Sequence, residues 1–128
     1  MIRGALIEYL VLQNVKTVGD GFDGLPTTWG GLSGIIRQNG PALSVTDLQS
    51  TELLDALKRL FAEGHLSFDK WDEAGQVFRP YSDYGDDGAF FFKNQFRMRL
   101  TPGGRLYFEQ LEAATSQQLP PANRKIGF

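Results

Sequence analysis

The stretch from Ser50 to Gly64 constrains this chain more than any other. Leu53, Leu54, Leu57, Leu60 and Phe61 recur at i, i+1, i+4, i+7 and i+8, which places them on one face of a helix. Ser50 or Thr51 can cap its start, and Gly64 supplies the left-handed residue that commonly ends a helix. Just upstream, Ser44 with Asp47, or Thr46 with Gln49, suits the cap of a short helix carrying Val45 and Leu48. An amphipathic helix must bury its apolar face against another element, so the remaining stretches are read for what covers it.

Downstream, Leu66 to Leu100 reads as two strands joined by a long loop. Apolar and polar residues roughly alternate from Leu66 to Trp71. In the returning strand Phe90, Phe92, Phe96, Met98 and Leu100 share one face, and Lys93, Arg97 and Arg99 share the other. The connection Asp72–Gly88 is rich in Gly, Asp and Tyr, and Pro80 interrupts regular pairing. A two-stranded hairpin is barely stable alone, so the Leu53–Phe61 face is expected to pack on the Phe90–Leu100 face. Thr101-Pro102 then opens a last helix carrying Leu106, Tyr107, Leu111 and Ala114, with Thr as cap and Pro in the first turn.

Upstream, Ile2, Ala5, Leu6, Tyr9 and Leu10 predict a first helix to about Gln13. Ile7, Val11 and Leu12 widen its apolar face, as in a helix buried on two sides or paired with a partner chain. Residues 15–41 hold seven glycines and two prolines. A short helix or strand over Leu32–Gln38, anchored by Trp29, Ile35 and Ile36, is the only regular element expected in this insertion. The expected class is therefore α+β, with helices packed on a small antiparallel hairpin. The domain spans 1–114, and the tail 115–128, with Pro120-Pro121, is expected to be flexible.

The 128 residues suit one domain, and the 41% hydrophobic and 22% charged fractions are those of an ordinary globular chain. No apolar run approaches the roughly 18 residues of a membrane span. No small-residue cleavage site follows the N-terminal apolar stretch, so no secretory leader is expected. With no cysteine there is no disulfide framework or thiolate chemistry, and the expected location is cytoplasmic.

Helix, short helix, longer helix, strand, wing loop, strand and helix is the order of a winged-helix domain, and the local wording resembles that family too. Leu57-Lys-Arg-Leu-Phe-Ala-Glu-Gly64-His-Leu66 resembles the end of its recognition helix running into the first wing strand. Leu100-Thr-Pro-Gly-Gly-Arg105 resembles the L-T-P-x-G-R start of the following helix in MarR-like and PadR-like transcriptional regulators. The resemblance covers about residues 44–112. It implies double-stranded DNA as partner, with the recognition helix in the major groove and the wing along the backbone.

On that reading Lys58, Arg59, Lys93, Arg97 and Arg99 carry the DNA contacts, in a dimer formed through the first and last helices. Arg97 and Arg99 have an alternative: pairing across the hairpin with Asp69 or a neighbouring carboxylate. A second function class is a winged-helix module that binds a protein partner and no nucleic acid. Residues 44–112 hold eight Lys and Arg against twelve Asp and Glu, with Asp83, Asp86 and Asp87 at the wing tip. Phe91, directed opposite to Phe90 and Phe92, would then form the partner surface with Tyr81 and Tyr84, and Phe78 lies nearby. Aromatics interleaved with arginine also suit single-stranded bases.

No enzyme, cofactor or metal is expected. His65 reads as a helix-end residue, with no sequence partner that marks a triad or metal site. Gly19-Asp-Gly-Phe-Asp-Gly24 matches G-x-G-x-x-G, yet Pro26 follows at once and no periodic helix opens there. Asp83-Tyr-Gly-Asp-Asp-Gly88 has Gly at the third ligand position of a calcium loop and Asn94 at the twelfth, and so fails that pattern.

Overall fold

A computed structural model describes residues 2–19, 27–81, 89–93 and 95–118. The order is α1 (Arg3–Gly19), α2 (Trp29–Asn39), a 3-10 turn (Gly40–Leu43), α3 (Ser50–Ala62), β1 (Leu66–Asp72), β2 (Val77–Tyr81), α4 (Ala89–Lys93), β3 (Phe96–Leu100) and α5 (Pro102–Gln118). The three strands form one antiparallel sheet in the order β2-β1-β3. The class is α+β.

α3 forms where its apolar spacing predicts and buries Leu53, Leu54, Ala56, Leu57 and Leu60. Its cap differs from the expected Ser50 or Thr51. The Gln49 N–H donates to the Glu52 carboxylate (3.0 Å), so the chain enters the helix one residue earlier. The short helix expected over Val45 and Leu48 is absent, because Ser44 (φ 62°) and Asp47 (φ 53°) take left-handed conformations that no right-handed helix accommodates. Val45 and Leu48 are buried all the same. Side chains satisfy this irregular backbone: Arg3 donates to the Thr46 carbonyl and Arg37 to the Leu48 carbonyl.

α1 runs six residues past its expected end, and Ile7 to Leu12 are all buried. It packs against α3 and α5 of its own chain. The breadth of its apolar face therefore requires no second copy, and the expected dimer would rely on α5, where Leu106 is exposed. α2 forms a full helix despite its glycines. Thr28 caps it by accepting from the Gly31 N–H (3.2 Å), and Leu32 and Ile36 reach the core, whereas Ile35 faces outward.

The hairpin departs most from expectation. β1 turns at Glu73–Gln76, where the Asp72 carboxylate accepts from the Ala74 N–H (3.1 Å), and returns at once as β2. Pro80 sits within β2, which is an edge strand and tolerates a missing N–H. Phe90, Phe92 and Lys93 do not belong to the returning strand, because residues 89–93 form α4. Phe91, expected on the basic face, is fully buried and meets Phe68, Phe90 and Phe96 edge to face at 5.1–5.2 Å. Phe92, expected on the apolar face, is half exposed. β3 starts at Phe96, and Thr27 closes an antiparallel bridge on its far side with hydrogen bonds of 2.8 and 3.0 Å.

α5 begins as expected, with Thr101 Oγ1 accepting from the Gly104 N–H (2.9 Å). A Cβ at Gly104 would collide with the His65 carbonyl, whereas one at Gly103 would meet only ordinary contacts. The backbone here thus requires glycine at 104 and leaves room for a side chain at 103. α5 continues to Gln118 with Thr115 buried, so the tail does not begin at Thr115. The glycine-rich match at 19–24 lies almost wholly outside the described residues, and so do Tyr84, the wing-tip aspartates and Pro120-Pro121.

Candidate nucleic-acid interface

Strand parity sorts the sheet into two faces. Leu66, Phe68, Phe96 and Met98 join the core on one. Ser67, Asp69 and Trp71 of β1 point to the other, opposite Arg99 and Arg97 of β3 and opposite Pro80 and Phe78 of β2.

Asp69 organises this outer face. Its Oδ2 accepts from Arg97 Nε (2.8 Å) and its Oδ1 from Arg99 Nη2 (3.1 Å), and Arg97 Nη2 lies 2.6 Å from Oδ2 in an ion pair. The pairing across strands that the sequence left open as an alternative is thus what forms. Two guanidiniums roof the carboxylate to 1% exposure while their own side chains stay 24% and 34% exposed. The trio carries a net charge of +1. A guanidinium has five N–H donors, so Asp69 engages only part of each, and Arg99 Nε is buried without a hydrogen-bond partner. Beside the trio, the Arg97 guanidinium lies 5.1 Å over the Phe78 ring, and Trp71 meets Phe78 edge to face at 5.1 Å. Trp71 and Phe78 are half-buried.

The other proposed contacts lie elsewhere. α3 packs on the core face of β1, with Phe61 stacked on Phe68, so Lys58 and Arg59 are across the sheet from Arg97 and Arg99. Lys58 is half-buried, and Arg59 turns back toward α1, with Nε 3.6 Å from Glu8 and Nη2 3.5 Å from the Gly4 carbonyl. The exposed positions of α3 also include Asp55, with Glu63 just beyond its end. Lys93 is exposed on α4 and is not in line with Arg97 and Arg99. Of the expected partner-binding aromatics, Phe91 is in the core, Tyr81 pairs through its backbone with Phe68, and Tyr84 lies outside the described residues. Sequence reasoning missed the outward pairing of Trp71 with Phe78. Trp71 shares Asp69's parity, but Phe78 joins it only through the register set by the turn at residues 73–76.

A second polar cluster ties α1, α3 and α5 together. Glu8 is buried, and the Tyr107 hydroxyl donates to it at 3.2 Å. Burial pushes the Glu8 carboxyl above the usual carboxylate range, although Arg59 and Tyr107 pull the other way. Burial and the Glu8 charge push the Tyr107 hydroxyl up to about 12. His65 stacks on Tyr107 at 4.4 Å with Nε2 3.3 Å from Glu63, the helix-end position expected of it. Near the hairpin turn, an open depression of about 490 Å³ wraps the end of the hairpin, lined by Lys70, Asp72 and Arg79 of one parity, by Trp71 and Pro80 of the other, and by the turn residues Glu73 and Ala74. Its Arg79–Asp72 pair (2.7 Å) holds the Asp72 carboxyl below its ordinary value.

Among the described residues no group of three or more His, Asp or Glu stands ready to hold a metal ion, and no helix is long and apolar enough to cross a membrane. No family model, curated protein or solved structure matches this chain.

Proposed function

We propose that this chain is a winged-helix-type nucleic-acid-binding module of the cytoplasm, not an enzyme, and that it presents the outer face of its sheet rather than α3. The observation that carries this reading is the side-by-side placement of Arg97 and Arg99, both held on Asp69 and both accessible. Guanidiniums already oriented by a shared carboxylate lose little freedom when they grip a phosphate. The element order supports the winged-helix part: α1, the Thr27 bridge, α2, α3, β1 and β3, with β2 and α4 inserted between the last two. A role in transcription would follow from the regulator-like wording at Leu57–Leu66 and Leu100–Arg105.

Fluorescence anisotropy of a labelled random duplex at about 50 and about 200 mM salt tests the reading. Two phosphate contacts give a salt slope of about −1.8, or roughly a twelve-fold loss across that range. Arg97→Ala with Arg99→Ala should remove both the binding and the slope. No binding of any nucleic acid at low salt would overturn the proposal. A protein-interaction role is favoured instead by one observation: Phe92 is half exposed and set edge to face against Trp29 at 4.8 Å. Phe92→Ser releasing a bound protein, in a chain that ignores nucleic acid, would select that second reading.

A further inference from the structure

We propose that the occupant of the outer sheet face is single-stranded rather than duplex nucleic acid, with bases stacking at Trp71 and phosphates held by Arg97 and Arg99. This rests on the nucleic-acid reading and narrows it.

Charge decides between the two forms. The Asp69–Arg97–Arg99 trio contributes only +1, on a chain whose net charge is −2. Duplex binding draws most of its non-specific affinity from phosphate neutralisation, and this face has little to give. Affinity must then come from apolar contact, and the apolar groups beside the arginines are aromatic: Trp71 and Phe78. Base faces are hidden inside a duplex and available in a single strand, where every base can stack on an aromatic ring.

Geometry agrees with charge. Ser67, Asp69 and Trp71 point outward along one strand, so the row from Arg99, opposite Ser67, to Trp71 spans roughly 13 Å. Phosphate-binding and stacking groups thus follow one another along a line, as a strand lying across the sheet needs. Arg97 already covers one side of Phe78 at 5.1 Å, which leaves Trp71 as the stacking residue and Phe78 as its support. Asp69 is buried beneath the guanidiniums and cannot reach a base edge, so this row reads no sequence through a carboxylate. Stacking on Trp71 is open to every base, so binding driven by it is sequence-tolerant.

The test uses the full chain with a labelled twelve-residue oligothymidylate, a duplex of the same length, and a glutamate-rich peptide of the same length. The oligothymidylate should bind more tightly than the duplex, and two single-strand phosphate contacts should cost about seven-fold in affinity between 50 and 200 mM salt. Trp71→Ala should weaken single-strand binding by about 5- to 150-fold, the loss of one stacked base, with thermal unfolding checked in parallel. Trp71→Phe keeps an aromatic face and should restore much of the affinity, which a purely structural role for Trp71 would not explain. A duplex bound as tightly as the single strand and unaffected by Trp71→Ala would overturn this inference and leave the nucleic-acid reading standing. Peptide binding equal to that of the oligonucleotide would also overturn it. Failure of both nucleic acids to bind at 50 mM salt would remove the two together.

Discussion

Replacing Asp69 with alanine leaves two neighbouring guanidiniums without the carboxylate that separates and orders them. Asp69 accepts hydrogen bonds from Arg97 Nε (2.8 Å) and Arg99 Nη2 (3.1 Å), lies 2.6 Å from Arg97 Nη2 in an ion pair, and is 1% exposed, so it has exchanged nearly all its water for these partners. Removing one member of a fully buried ion pair costs about 3–5 kcal/mol. Arg97 and Arg99 keep a quarter to a third of their side-chain surface in water, so both can be partly resolvated and the figure must be discounted. The expected loss is about 2–4 kcal/mol, against a total of about 6–19 kcal/mol for a chain of this length, or roughly 10 °C in melting temperature. Urea unfolding followed by tryptophan fluorescence measures it, and an unchanged m-value would show that two-state unfolding persists. Replacing all three members with apolar residues of similar length (Asp69→Leu, Arg97→Met, Arg99→Met) should recover most of the loss, because no buried charge remains. A loss below about 1 kcal/mol for Asp69→Ala would refute the reasoning, since the trio would then behave as ordinary surface ion pairs.

Other outcomes follow from the packing. Gly104→Ala should destabilise by at least about 2 kcal/mol through collision with the His65 carbonyl, while Gly103→Ala should be neutral or gain up to about 1 kcal/mol in helix propensity; differential scanning fluorimetry separates the two. Phe91→Ala should cost about 3–5 kcal/mol as a core cavity, and Phe92→Ala less than about 1 kcal/mol, by chemical denaturation. The Glu8 carboxyl is raised in the fold, so its stabilising contribution is complete below the unfolded-state value and is lost as pH rises through the folded one. Glu8→Gln should flatten the stability-versus-pH curve in that window, and urea midpoints between about pH 4 and 8 show whether it does.

The parts legible in the sequence were those set by local chemistry. The 3.6-residue period of Leu53–Phe61, the left-handed Gly64 (φ 78°) and the Thr101 cap each act within a few residues, and each element formed where expected. α2 was obscured because its glycines lower helix propensity, and burial of Leu32 and Ile36 outweighs that only after the chain has folded. β2 was obscured by Pro80, whose tolerance depends on edge position, a property of the assembled sheet. Three consecutive phenylalanines carry no usable period, so the split between buried Phe91 and exposed Phe92 came from tertiary packing alone. In the candidate site, Asp69 with Arg97 and Arg99 was foreseeable from strand parity. The meeting of Trp71 with Phe78 was not, because it depends on a register fixed by Gln76 in a left-handed conformation (φ 53°).

The two rims of the small sheet also bear on how this protein behaves at high concentration. Aggregation by strand addition needs a run of unpaired backbone donors and acceptors on an accessible rim. At one rim Thr27 already pairs with Phe96 at the start of β3. At the other, β2 is only five residues long, lacks a donor at Pro80 and carries charged Arg79. Among the described residues neither rim offers a long, uninterrupted template, so this sheet is poorly suited to seeding fibrils.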